Sequence, residues 1–202
     1  MKFNKKVSVA AGAFALLAGL SQFSTASAAE LTSGNYHVEP THTQVVFQLS
    51  HFGFTEFTGL FSGASGTLSV NTEHPAQDKV DISVDVGSVL TTSETLNKEL
   101  KGADWFNVAQ YPKAHFVSTS VHALNGKEAT VKGNLTLHGV TRPVTLQVRF
   151  FGAGVNPLDH AQTVGFSATT TIKRSEFGVK QYVPVVGDNV HLTIAGAFER
   201  DK

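Results

Sequence analysis

Cysteine is absent from the 202 residues, and methionine and tryptophan occur once each. The lack of cysteine excludes a disulfide-stapled scaffold, so the chain must hold itself together by burying apolar surface in an ordinary core. Catalytic signatures are missing as well. There is no Gly-x-Ser-x-Gly elbow, no paired-carboxylate motif and no phosphate-cradling glycine loop followed by a helix; Gly63-Ala64-Ser65-Gly66 resembles one only superficially. The nine histidines show neither His-x-His nor His-Glu-x-x-His spacing, which leaves no case for a metal. These absences argue against an enzyme, and no cofactor is expected.

Basic residues do not cluster into a patch that could follow a phosphate backbone, so nucleic acid is not an expected partner. Lys2, Lys5 and Lys6 instead precede an apolar run from Val7 to Leu20, and Ala26-Ser27-Ala28 supplies the small-x-small pattern that signal peptidase reads. We expect residues 1–28 to be a secretion signal, with cleavage after Ala29 as the near alternative, and residues 29–202 to form one domain. The apolar run is shorter than the ~20 residues a spanning helix needs, so no stable membrane insertion of the mature chain is expected. Loss of the signal removes three of 16 basic residues and none of 16 acidic ones, leaving 13 against 16 and a formal charge of about −3. A signal without cysteine at its cleavage point reads as that of a soluble, non-lipidated protein, and the periplasm is the expected location.

What the chain does have is 15 phenylalanines and 18 glycines, spread over segments that alternate with a period of two. From Tyr36 to Val70 runs the stretch that sets the pattern. Val45, Phe47, Leu49 and His51 share one parity and Gln44, Gln48 and Ser50 the other; after the His51-Phe52-Gly53-Phe54 break, Phe57, Gly59 and Phe61 resume the apolar side. Val80, Ile82, Val84 and Val86 alternate with Asp81, Ser83 and Asp85. Asn125-Gly126 and His138-Gly139 separate further strands carrying Phe116, Val121, Val131, Leu135 and Leu137. Val144 to Phe150, Phe166 to Ile172 and Val190 to Ile194 follow. Roughly eight strands are expected, with one short helix over Ser93–Lys101, where Ser93 is the N-cap and Leu96 and Leu100 are one turn apart. Asp104-Trp105-Phe106 next to that helix reads as a lid or plug.

Such strands need something to cover their apolar face. A second sheet, a helix layer, or the same sheet closed around a ligand would each serve, and only the last makes a binding protein. Phe47, Leu49, Phe57, Phe61, Val84, Phe116, Leu137 and Phe166 either fill a dry core or line a lumen. Interleaved Gly59, Gly63, Gly133, Gly165 and Ala168 would leave a lengthwise slot in the second case, or mark bulges and twist in the first. His51, pointing inward by parity, is either a satisfied structural histidine or a head-group contact. His42 and His138, at strand ends, are expected to tie loops.

Several segments resemble the YceI-like family of exported, lipocalin-like isoprenoid-binding proteins. They are His42-Thr43 with Phe47, His51-Phe52-Gly53, Gly59-Leu60-Phe61, Ala103 to Asn107, Tyr111-Pro112 with Phe116, Gly133 to Val144, and Arg174 to Gly178. The helix departs from the family's Arg-Asp-x-His-Leu pattern, reading Leu96-Asn97-Lys98-Glu99-Leu100. The resemblance implies an all-β antiparallel barrel holding a long apolar chain, such as a polyprenyl phosphate or quinone, in its lumen. On that reading Phe47, Leu49, His51, Phe57, Phe61, Val84, Trp105, Phe106, Phe116, Leu137, Phe166, Phe177 and Tyr182 meet the ligand. Arg142, Arg174 and Lys180 are the candidates for its head group. The expected role is that of a lipid carrier or reservoir, the alternative being a stress-response interaction module with a solid core and a protein partner. The residues leave open whether two chains pair as a homodimer.

Overall fold

The computed structural model describes residues 30–202; the expected signal at 1–28 lies outside the described residues. Ten strand segments follow one another: β1 (Gly34–Val38), β2 (Gln44–His51), β3 (Thr55–Phe61), β4 (Ala64–Val70), β5 (Lys79–Asp85), β6 (Lys113–Ala123), β7 (Glu128–Leu137), β8 (Val140–Val155), β9 (Gln162–Lys173) and β10 (Asn189–Arg200). The single α-helix among the described residues, α1 (Glu94–Lys101), lies between β5 and β6.

All pairings are antiparallel, in the order β1-β4-β5-β6-β7-β8-β9-β10-β2-β3, and β10 also pairs with β1. Half of β10 holds β2, through His191 to Ala195, and its end holds β1, through Phe198 to Arg200. β1 and β2 are therefore one long strand interrupted at Pro40, and β3 and β4 are its partner, interrupted at Ser62-Gly63. Counted so, ten segments make a closed barrel of eight strands, the number the alternation indicated. Closure leaves no lateral edge along most of the wall.

Local chemistry sets the corners. His138 and Gly139 both take positive φ (52° and 75°) in the two-residue turn between β7 and β8, as a type I′ hairpin requires. Asn125 closes the β6–β7 connection with its side chain, its Oδ1 accepting from the amides of Lys127 and Glu128. Ser93 caps α1 by accepting from the Leu96 amide. His42 ties the Pro40 interruption by its 2.6 Å contact with the Glu39 carboxylate.

Two apolar clusters occupy the ends of the tube. One surrounds Leu100, Trp105, Phe177, Val179 and Val186 at the end carrying α1. The other surrounds Tyr36, Leu68, Val164 and Phe198 near the chain termini.

Candidate functional site

Between the two clusters lies a cavity of about 320 Å³ lined from every strand of the barrel. Its wall follows from the period-2 alternation: Ile82 and Val84 of β5, Leu135 and Leu137 of β7, Leu146 and Val148 of β8, and Leu192 and Ile194 of β10 all point in. These eight are only half buried although none faces bulk solvent. Side chains that filled the tube would bury one another to the few per cent seen for Tyr36 or Phe177; here they border empty space.

Almost every lining side chain is hydrocarbon or aromatic. The polar exceptions are Thr43, Asp78, Ser167, Thr170 and Arg174. The Thr43 hydroxyl is already engaged, donating to the Glu39 carbonyl and accepting from the Ala197 amide. Asp78 sits at the end away from α1, where its carboxylate accepts from the Asn71 amide; burial raises its pKa against that bond. Arg174 sits at the α1 end, 4% exposed, and burial lowers its pKa against the pull of Asp188.

Of the side chains read from the sequence as lumenal, Phe47, Leu49, Phe61, Val84, Trp105, Phe106, Phe116, Leu137 and Phe166 do line this cavity. Leu100, Trp105 and Phe106 form its stopper at the helix end. Four others lie elsewhere. His51 keeps the parity of Leu49 but is the last residue of β2, beyond the rim; it is exposed, with its ring edge-on to Phe52 at 4.3 Å. Phe57, opposite Leu49, packs half-buried on the outer part of the same cluster without reaching the cavity. Phe177 is 1% exposed within the stopper, one layer removed from the lumen. Tyr182 has positive φ and projects outward, its ring 6.1 Å from Trp105.

The head-group candidates also separate. Arg142 shares the parity of Val144 and Leu146 but stands at the start of β8, beside the His138-Gly139 turn, and is exposed. Lys180 is exposed on the loop after β9. Arg174 alone reaches the lumen, and its guanidinium is committed to the carbonyls of Val179, Gln181, Val186 and Gly187. Sequence reasoning noted the alternation of Ile82, Leu135, Leu146, Leu192 and Ile194 without assigning them to the wall. Asp78 it missed, because a carboxylate in the turn before β5 carries no periodic signal.

A YceI-like domain matches residues 36–198. The protein YceI of Escherichia coli O157:H7 is 36% identical over 171 residues, covering 84% of this chain and 88% of its own length. A UPF0312 protein of Pseudomonas savastanoi pv. phaseolicola is 35% identical over 156 residues, 76% of this chain and 81% of that one. Among solved structures, BcnA of Burkholderia cenocepacia superposes with a TM-score of 0.71 at 26% identity, over 79% of this chain and 98% of its own. A polyisoprenoid binding domain from Saccharophagus degradans superposes with a TM-score of 0.60, covering 84% of this chain and 100% of that one; at 16% identity it shares the fold alone. The family match and the identity to its relatives run along nearly the whole described length, and the chain belongs to the YceI-like domain family.

Proposed function

We propose that the protein is an exported carrier or reservoir that holds a long-chain isoprenoid, a polyprenyl phosphate or quinone, along the barrel axis. The observation that carries this reading is the apolar cavity bordered by half-buried inward side chains. Each methylene moved from water into such a wall contributes about 0.8 kcal/mol, so a long tail supplies the affinity and a few polar contacts set its direction. The polyisoprenoid binding named for the Saccharophagus degradans domain of the same fold supports the choice of ligand. The basic start, apolar run and Ala26-Ser27-Ala28 support export to the periplasm.

The protein binds without transforming in this reading, in keeping with a lumen walled almost wholly by hydrocarbon and aromatic side chains. The solid-core interaction module loses its support with the cavity. Native mass spectrometry and organic extraction of the protein purified from its own host test the proposal: a mass increment that extracts as an isoprenoid is expected. Protein that is empty from its own host, and that takes up no isoprenoid when offered one, overturns it.

A further inference from the structure

We infer that the loop tips beside the stopper form a face that docks on a lipid bilayer. Phe52 and Phe54, at the β2–β3 turn, are 47% and 87% exposed, and Tyr182 and Val185, in the loop before β10, are 52% and 53% exposed. Four large apolar side chains in water on a small protein call for a partner. The two loops are one surface: the Phe52 amide donates to the Val185 carbonyl at 2.8 Å, the Gly187 amide donates to the Ser50 carbonyl at 2.8 Å, and His51 bridges Val186.

Charge selects the partner. From Phe52 to Thr55 and from Gly178 to Gly187, Lys180 is the sole ionised side chain. Aromatic rings with one adjacent cation, and no acid between them, match an interface rich in anionic lipid heads; a folded protein partner would ordinarily answer such a loop with an opposite charge or a pocket. The opposite end of the barrel also exposes Leu124, Phe151, Val155 and Leu158. There the apolar groups are mixed with Lys127, Glu128 and Asp159, and Asp159 is spent holding its own turn through the Ala161 amide and Asn156. Continuity with the lumen makes the same choice. Tyr182 packs over Trp105, and Trp105 closes the cavity, so the docking face lies directly on the stopper.

Choosing a bilayer rests on the carrier reading, but docking is measured apart from lumenal content. The test compares wild type, Phe52→Asn/Phe54→Ser and the control Leu158→Ser for cosedimentation with vesicles of phosphatidylethanolamine and phosphatidylglycerol. Asparagine at position 52 tolerates the left-handed backbone there (φ 55°), so the double variant keeps its turn. Partitioning should fall at least about tenfold in the double variant and stay unchanged in Leu158→Ser. Wild type that ignores vesicles, or a double variant that binds them equally, overturns the inference. Sedimentation showing a dimer that Phe52→Asn/Phe54→Ser dissolves, with no vesicle binding, overturns it in favour of a second copy as the occupant. Tip-dependent vesicle binding by protein whose lumen never carries lipid would uphold docking and defeat the carrier reading.

Discussion

The Arg174 guanidinium carbon lies 5.5 Å from the centroid of the Trp105 ring, at the inner side of the stopper. One residue thus joins two tasks. Its planar fork gathers the carbonyls of Val179, Gln181, Val186 and Gly187, fixing the loop that follows β9, and its face holds the ring that closes the lumen. No carboxylate pairs directly with it among the described residues; Ser175 and the Ser175 amide take up Asp188.

Replacement of Arg174 by lysine should therefore be far from conservative. An ammonium has three donors on a flexible stem and cannot serve four carbonyls spread along a loop. At least one carbonyl would lose its partner, and a loss of about 1–3 kcal/mol is expected in urea unfolding monitored by Trp105 fluorescence. A loss below about 1 kcal/mol would mean that water satisfies these carbonyls and that the clamp is dispensable.

Filling the lumen should separate binding from folding. Ile194 is half buried, faces the cavity, and stands opposite Val45 and Ala168 on the neighbouring strands. Tryptophan at that position has empty space to enter, so Ile194→Trp should cost less than about 1.5 kcal/mol while displacing several methylenes of ligand. The expected result is unchanged circular dichroism with most of the lipid-bound mass lost. Equal lipid content in the variant would place the ligand elsewhere.

Asp78 supplies a pH test at the other end of the cavity. Burial raises its folded pKa above the unfolded value, so its protonated form favours the folded state. That contribution is full below the unfolded pKa and is lost as pH rises through the higher folded one. Asp78→Asn keeps an acceptor for the Asn71 amide and removes the charge. The variant should be more stable than wild type at pH 7, by less than about 1 kcal/mol after solvent screening, and the difference should vanish in acid. Stability curves that stay parallel from pH 7 to acid would contradict this.

Much of the barrel was legible because alternation is a local signal. β5 could be read residue by residue, since Asp81, Ser83 and Asp85 mark one face as plainly as Ile82 and Val84 mark the other. α1 announced itself through Ser93 and the Leu96–Leu100 pair. Parity says which side a residue takes but not where the tube ends. His51 and Phe57 share the lumen's parity and still fall at the rim, and the register shift after Phe150 reverses the alternation, so that Ala153, of the parity that faced outward before it, packs in the core opposite Val164. Arg174 shows the other limit: its acceptors lie 5 to 13 residues away in a loop without periodicity, so nothing near it foretold the clamp.

The glycines beneath the aromatic rings decide whether the lumen exists. Gly133 on β7 lies under the Phe116 ring, and Gly59 on β3 lies under Phe47; a Cβ built on either would overlap the ring above it. The missing side chain lets each ring lie flat against the wall instead of standing across the tube. Gly133→Ala should push Phe116 inward, cost about 1–3 kcal/mol and lower lipid occupancy. Phe116→Leu would relieve the overlap with the ring but leave the Val117 carbonyl 2.5 Å from the new Cβ, so the double variant should lose less stability than the sum of the two singles and regain part of the ligand. Thermal unfolding and native mass spectrometry of the four proteins give both terms of the cycle. Strict additivity would show that ring and glycine do not touch in solution, and the flat-ring account of the cavity would fall with it.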